Sequence, residues 1–259
     1  MLTIGGGEDN NFVAPKLSVI IPAHNEEGCI EETVVQLFKA LRKADIAHEI
    51  LVINDNSRDN TLKILDEIQN QISTVRYITN AEPNGFGYAV RKGLANFTGD
   101  CVAVFMADRS DDPNDLVAFY RLMEKEGCDA VFGTRWSGSG KAYDYPKHKL
   151  WLNRLANRMI RMVFGIKYDD TTNAFKLYKR STIEGLQPFL SPHFNLTIEL
   201  PLKVIIRGYS YKVLPNSWTN RKTGESKLKI NEMGTRYFFI LLYCLIEKYF
   251  SKGDFKKKW

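Results

Sequence analysis

Short apolar runs alternate with helical patterns through the first half of the chain, and this alternation limits the possible folds more than any other feature. The predicted strands are residues 17–22, 49–54, 75–79, 101–106 and 129–133. The predicted helices between them are residues 27–42, 59–72, 87–97 and 115–126, where apolar residues recur at helical spacing. Strands that are apolar throughout are typical of a mostly parallel sheet covered by helices on both faces. The chain is therefore predicted to have an α/β fold.

Polar side chains follow the predicted strands at the points where the strands end. They include His24, Glu26, Asp55, Asn80, Asp108 and Arg135. Ligands of such sheets bind beyond the carboxyl ends of the strands, so these residues predict one cleft at that edge. A purely structural reading makes Asp59 and Thr61 helix starters and Asn56 a turn residue. That reading accounts for part of the polar segment after the second predicted strand, but not for the recurrence of polar residues at so many strand ends.

Length and cysteine content narrow the class of protein further. The 259 residues suit one α/β domain with a small appendage. The four cysteines form no C-x-x-C pair, so the sequence gives no support for a zinc site or a thiol redox motif, and scattered cysteines fit a reducing cytosol. The start of the chain lacks the pattern of a signal peptide. The longest strongly apolar run, residues 237–246, is about half as long as a membrane-spanning helix requires, so we expect no membrane-spanning helix.

The net charge of +6 suggests an anionic partner, although a solvated basic surface would give the same number. Residues 147–164 have helical spacing, with one apolar stripe and one basic stripe. The apolar stripe is Trp151, Leu155, Met159 and Met162, and the basic stripe is Arg154, Arg158 and Arg161. Such a helix suits a membrane interface; the alternative is an ordinary helix packed on the domain. A nucleic-acid partner is not expected, because the carboxylates of the cleft would repel a phosphate backbone.

Seven motifs carry a resemblance to a known family. They are VIIPAHNEE (19–27), VINDNSRDNT (52–61), NGFGYAVRKG (84–93), FMADRSDDP (105–113), GTRW (133–136), DDTTNAFKLYKR (169–180) and NRKTGESKL (220–228). On these motifs the chain resembles glycosyltransferase family 2 and, within it, the polyprenyl- or dolichyl-phosphate sugar synthases. The resemblance implies a nucleotide-binding three-layer sandwich of the glycosyltransferase A type. Its central sheet would be mixed and mostly parallel, with C-terminal amphipathic interface helices.

The resemblance also implies an organisation and an activity. The resemblance makes residues 17–228 the catalytic domain. The residues themselves indicate a flexible polar N-terminus at 1–16 and, over 229–259, a membrane-interface helix with a basic tail that includes Lys256, Lys257 and Lys258. The enzyme would transfer a hexose from a GDP- or UDP-hexose to a polyprenyl or dolichyl phosphate. It would be attached peripherally to the cytoplasmic face of a membrane. The sequence leaves the oligomeric state open.

Every predicted site residue except Glu199 lies in one of these seven motifs. The nucleotide-binding residues would be Pro22, His24, Glu26, Asp55 and Ala107; Glu26 could instead stabilise a helix start through its charge. Asp108 and Ser110 would bind Mg²⁺ or Mn²⁺. Arg135, Arg221 and Lys227 would bind the acceptor phosphate and assist catalysis, and Glu199 matches a family acid near the sugar.

One position departs from the family's pattern. Most relatives have an acid where this chain has Met106, and a thioether is a poor ligand for a hard cation. Because Mg²⁺ commonly needs only one or two carboxylates besides phosphates and waters, a divalent metal is still expected. Asp111 and Asp112 follow closely, but they could simply lead into the helix that begins at Pro113.

The expected chemistry is a direct displacement with inversion, as the resemblance implies. A lipid phosphate is largely ionised near neutral pH, so it needs no strong general base. A first alternative is a family 2 enzyme that glycosylates a soluble glycan or protein, which would need a base to activate a hydroxyl. A second alternative is a nucleotide-sugar binding protein that has lost catalysis, and Met106 is its only support.

Overall fold

The computed structural model describes residues 15–220 and 230–257. Most of the predicted N-terminal segment lies outside these residues, and so do Arg221, Lys227 and Lys258.

Nine strands occur in the described part of the chain. They are β1 (Leu17–Ala23), β2 (His48–Asn54), β3 (Val75–Thr79), β4 (Cys101–Val104), β5 (Ala130–Thr134), β6 (Lys141–Tyr143), β7 (Lys176–Lys179), β8 (Tyr211–Pro215) and β9 (Ser217–Thr219). Seven of them form one sheet in the order β3-β2-β1-β4-β7-β5-β8. β7 runs antiparallel to its neighbours β4 and β5, whereas the other pairs in this sheet are parallel. β6 and β9 form a small separate parallel pair.

Helices cover both faces of the large sheet. They are α1 (Ile30–Lys43), α2 (Thr61–Gln71), α3 (Phe86–Leu94), α4 (Pro113–Glu126), α5 (Lys147–Phe164), α6 (Arg180–Gly185), α7 (Leu196–Ile206) and α8 (Ile230–Phe250). Successive residues of β1 point to opposite faces, so Val19 and Ile21 pack with α1, α2 and α4 while Ile20 packs with α3, α6 and α7. The predicted three-layer sandwich with a mixed, mostly parallel sheet is therefore confirmed.

A third apolar cluster joins α5 and α8 to the sandwich. It contains Ile160, Phe164, Ile198, Leu202, Ile240 and Cys244, which come from α5, α7 and α8. The apolar stripe predicted on α5 does not take part in it, since Trp151, Met159 and Met162 are 65%, 53% and 70% exposed. α8 exposes a similar set that includes Phe238 and Phe250. Within residues 15–220 and 230–257, no helix is both long and apolar enough to cross a membrane.

The chain after α8 folds back onto the sandwich, and this corrects one expectation about the basic tail. The Nζ of Lys257 lies 2.8 Å from the carboxylate of Asp129, and its backbone N–H donates to the carbonyl of Arg207. Asp129 immediately precedes β5, at the opposite end of that strand from Arg135. Lys257 is therefore paired within the protein, and its charge is not available for the lipid contact that the sequence suggested.

Candidate active site

A cavity of about 940 Å³ lies beyond the carboxyl ends of β1, β2 and β4. Its walls include seven of the predicted site residues, Pro22, His24, Glu26, Asp55, Asp108, Ser110 and Arg135. The opposite wall comes from α5 and α8, including Lys149, Asn153, Arg236 and Tyr237. A cavity of this size holds a ligand as large as a nucleotide sugar. The predicted cleft is thus present at the predicted edge of the sheet.

Asp55 at the end of β2 both lines the cavity and holds its wall together. One carboxylate oxygen accepts from the Asn80 side chain at 2.8 Å, and the other accepts from the Gly85 backbone N–H at 2.8 Å. Gly85 has a φ of +138°, which a side chain would disfavour. The His24 ring Nδ1 lies 2.6 Å from the carbonyl oxygen of Asp55, so the ends of β1 and β2 are joined directly. Each carboxylate oxygen still has capacity for one donor from a ligand.

The start of α3 makes a close contact that only glycine permits. A Cβ on Gly87 would lie 2.4 Å from the backbone carbon of Pro192 and 2.5 Å from the nitrogen of His193. Phe86 stacks on Phe194 with ring centroids 4.4 Å apart. These contacts press the cavity wall of α3 against the segment that leads into α7.

The segment of residues 105–112, here called the Asp108 loop, is fixed from several sides. Asp108 accepts the Ser110 N–H at 3.1 Å, and Asp111 accepts the Met106 N–H at 3.0 Å. The carbonyl of Ala107 accepts the Thr33 hydroxyl at 2.8 Å. The Ala107 side chain is buried in the core and does not line the cavity, so the structure does not support a side-chain contact of Ala107 with the nucleotide.

The Asp108 loop presents hard oxygen donors that suit Mg²⁺ or Mn²⁺. The Ser110 hydroxyl is buried and has no hydrogen-bond partner among the described residues. Burial raises the pKa of Asp111 to about 7; the neighbouring Asp108 adds to this, while the Met106 N–H opposes it. No group of three or more histidine, cysteine or acidic residues that could hold a metal occurs within the described ranges. A cation here would therefore also need phosphate oxygens and waters.

Arg135 lines the cavity but is already engaged by a carboxylate. Its Nε and Nη2 donate to Asp170 at 2.8 and 2.7 Å, and both residues are buried. Burial alone would lower the pKa of Arg135, but the effect of the Asp170 carboxylate is larger and raises this pKa above its ordinary value. The guanidinium also lies 4.9 Å from the centre of the Trp136 ring. Asp170 thus offsets much of the positive charge that the sequence assigned to an acceptor phosphate.

Two other cations line the cavity, and the sequence motifs do not single them out. Lys149 lies in the first turn of α5, and Arg236 lies near the start of α8. Both are half-buried, and neither forms an ion pair with any residue that the structure describes. Lys149 precedes Trp151 by two residues, yet sequence spacing alone does not show which lysine of this helix faces a cavity.

Glu199 does not reach the cavity, and its predicted place beside the sugar is not supported. It is fully buried on α7, where its carboxylate accepts the backbone N–H groups of Leu190 and Ser191 at 2.8 and 2.7 Å. The Nζ of Lys203, one turn later, lies 2.6 Å away. The structure thus gives Glu199 the role of an acid paired within a helix.

Comparison with known proteins identifies relatives in sequence. Residues 18–186 match the family described as Glycosyl transferase family 2. The chain is 28% identical over 218 residues to a dolichol-phosphate mannosyltransferase of Pyrococcus furiosus. The matched region covers 83% of this chain but only 59% of that protein. It is 28% identical over 238 residues to a polyprenol monophosphomannose synthase of Mycolicibacterium smegmatis, which covers 86% of each.

Comparison of folds finds similar solved structures. Glucosyl-3-phosphoglycerate synthase from Mycobacterium tuberculosis, in complex with Mg²⁺ and UDP, matches with a TM-score of 0.64 and 20% identity over 90% of this chain and 79% of that one. The same enzyme with Mn²⁺, UDP and phosphoglyceric acid matches with a TM-score of 0.66 and 21% identity, over 89% and 78% of the two chains. At this identity the likeness concerns the fold.

Proposed function

The chain belongs to glycosyl transferase family 2 and is a glycosyltransferase, and we propose that it transfers a hexose from a nucleoside diphosphate sugar to a polyprenyl phosphate at a membrane surface. The observation that carries this proposal is the composition of the cavity's two walls. One wall presents carboxylates at the sheet edge, and the other presents Lys149 and Arg236 on helices that also expose apolar side chains. The names of the two sequence relatives point to the same class of acceptor.

The donor occupies the sheet side of the cavity. His24, Glu26 and Asp55 supply polar atoms for the base and ribose, as the resemblance implied. The diphosphate then lies at the Asp108 loop, where Asp108 and Ser110 would hold Mg²⁺ or Mn²⁺. When bound, this cation neutralises the charge that develops on the leaving nucleoside diphosphate. GDP- and UDP-hexoses are both candidates.

The acceptor occupies the helix side. Lys149 and Arg236 are placed to bind a phosphate, which a guanidinium can grip with two donors and an ammonium binds as a point charge. An oxygen of the lipid phosphate attacks the anomeric carbon while the bond from that carbon to the diphosphate breaks, which inverts the anomeric configuration. Because the attacking oxygen is already ionised, positioning and desolvation replace a general base.

Two predicted phosphate-binding residues, Arg221 and Lys227, lie outside the described residues and stay predictions from the sequence. The segment that contains them begins directly after Asn220, which lines the cavity. Arg135 remains a candidate for contact with the acceptor. In that role it would use donors that Asp170 does not occupy, and it would bring less net charge than an unpaired arginine.

The outer faces of α5 and α8 support a proposal of membrane attachment. Exposed apolar side chains on both helices can enter the headgroup region, and Arg154, Arg158 and Arg161 are exposed beside them on α5. Each basic residue near an anionic surface contributes about 1 kcal/mol. We propose peripheral attachment to the cytoplasmic face of a membrane, where a long-chain lipid phosphate would meet the cavity without leaving the bilayer.

An acceptor panel tests the proposed function. Radiolabelled GDP- and UDP-hexoses would be offered with a short polyprenyl phosphate, with the corresponding polyprenol, or with 3-phosphoglycerate, each with Mg²⁺, Mn²⁺ or chelator. Labelling of the polyprenyl phosphate alone is expected, because only this acceptor has both the ionised oxygen and the lipid chain. Labelling of 3-phosphoglycerate or of the polyprenol, with no labelled polyprenyl phosphate, would contradict the proposal.

A further inference from the structure

The Asp108 loop has Met106 where the resemblance implies an acid, so a cation there would need its second negative charge from another residue. This requirement rests on the proposed function, in which a divalent cation binds at Asp108 and Ser110. Asp55 and Glu26 also line the cavity, but Asp55 lies after β2, where Asn80 and Gly85 orient its carboxylate and the proposed function assigns it to the nucleoside. Glu26 lies after β1 on the nucleoside side.

Among the described residues, Asp111 is the remaining carboxylate that lines the cavity, and its hydrogen bonding is incomplete. The residue is only 5% exposed. Its Oδ2 accepts the Met106 N–H at 3.0 Å, whereas no described residue donates a hydrogen bond to its Oδ1. A buried carboxylate with one oxygen that accepts no hydrogen bond lowers the stability of the fold unless a cation compensates its charge. The nearby Arg135 does so only in part, since it is held by Asp170.

A second, independent observation points to a ligand at the same place. The Ser110 residue is 3% exposed and lines the cavity, and its hydroxyl lacks a hydrogen-bond partner within the described ranges. Its backbone is fixed, because the carbonyl of Ser110 accepts the Thr219 N–H at 2.9 Å and Asp111 bridges to Trp218. The buried Ser110 hydroxyl and the Oδ1 of Asp111, which accepts no hydrogen bond from a described residue, are the type of oxygen ligand that Mg²⁺ and Mn²⁺ prefer.

We propose that Asp111 supplies the second carboxylate for the divalent cation at Asp108 and Ser110, in place of the acid that this chain lacks at Met106. Asp111 binds the cation directly or through one of its waters. Its bond to the Met106 N–H orients the carboxylate toward the position that a side-chain acid at residue 106 would otherwise serve. Asp112 has a different role, since its side chain caps α4 by accepting the Asn114 N–H at 2.8 Å.

Mn²⁺ binding, measured by the loss of the free-ion EPR signal with GDP or UDP present, tests this assignment without relying on activity. Asp111→Asn should weaken Mn²⁺ binding at least tenfold while still accepting the Met106 N–H. Asp112→Asn is the matched control, because asparagine also caps helices, and it should stay within twofold of the wild type. Met106→Asp in the Asp111→Asn background should restore most of the lost affinity.

Wild-type Mn²⁺ affinity in Asp111→Asn, with affinity lost in Asp108→Asn, would overturn the proposal. Absence of Mn²⁺ binding in the wild type would also overturn the assignment of Asp111. In that case, polyprenyl phosphate that is still labelled in the presence of chelator would leave the proposed transfer reaction standing. If Asp111→Asn does not fold, as judged by its circular dichroism, anomalous diffraction from wild-type crystals with Mn²⁺ and GDP decides. A peak beyond the reach of one water from the Asp111 carboxylate would refute the assignment.

Discussion

Replacing Glu199 with glutamine should destabilise the protein severely without acting on the chemistry of transfer. Glu199 and Lys203 are both fully buried and lie 2.6 Å apart. The substitution removes the negative charge and leaves the Lys203 ammonium buried with backbone carbonyls, among them that of Pro188 at 2.5 Å. The glutamine N–H₂ group would also face one of the two backbone donors, Leu190 or Ser191, that the carboxylate accepts.

The size of this effect follows from the burial of the pair. Breaking a buried ion pair by removing one partner costs about 3–5 kcal/mol. That is a large part of the roughly 5–15 kcal/mol that stabilises a typical domain. Removing the second charge as well, in Glu199→Gln with Lys203→Met, should recover part of the loss, because no uncompensated charge then remains in the core.

Urea unfolding followed by circular dichroism gives the free energies for the wild type, both single variants and the double variant. We expect the double variant to be more stable than Glu199→Gln and to transfer sugar whenever it is folded. A Glu199→Gln protein with wild-type stability that has lost transfer would refute this reasoning. Such a result would restore the acid beside the sugar that the sequence suggested.

Three further perturbations have defined expectations. In steady-state assays, Lys149→Ala should raise the acceptor KM at least tenfold without changing nucleotide affinity, because a hydrogen bond to a charged group contributes about 1.5–3 kcal/mol. Lys147→Ala is the control, since Lys147 lies on the same helix but outside the cavity lining. Met162→Glu should weaken sedimentation with anionic vesicles, whereas Leu62→Glu, an exposed position on α2, should not. For Glu49, burial raises the pKa but hydrogen bonds to the carboxylate lower it more, from 4.5 to about 2. The ionised carboxylate therefore stabilises the fold by about 3 kcal/mol above about pH 4.5, and this contribution should be lost as the pH falls toward 2. Acid titrations should show the loss in the wild type but not in Glu49→Gln.

Local patterns were sufficient to predict the parallel part of the sheet. β3 has the predicted bounds. β1, β2 and β4 differ from theirs by one or two residues at one end and β5 by one residue at each end, because each is an apolar run bounded by polar residues. α5 also has its predicted bounds, 147–164. The polar residues that follow the strands meet in one cavity, as the topology of a parallel sheet requires.

Features that depend on distant pairing were not predictable in this way. β7 enters between β4 and β5 in the antiparallel direction, and nothing in its four residues specifies those neighbours. α7 is buried on most sides and includes the Glu199–Lys203 pair among its buried residues, so its sequence gives only a weak amphipathic period. The partner of Arg135 lies 35 residues away, so the sequence shows a free guanidinium where the fold has an ion pair. The partner of Glu199, Lys203, is only four residues away, but the sequence does not show that both side chains are buried in the core.

The covalent bond in the product is the sharpest test of direct attack by a lipid phosphate. A hexose labelled with ¹³C at the anomeric carbon would be supplied as its nucleoside diphosphate, with enzyme and vesicles that carry polyprenyl phosphate, and the extracted lipid would be examined by NMR. We predict coupling between the labelled carbon and the phosphorus of the lipid, with an anomeric configuration opposite to that of the donor. A labelled carbon without phosphorus coupling, or with the donor's configuration retained, would contradict the proposed displacement.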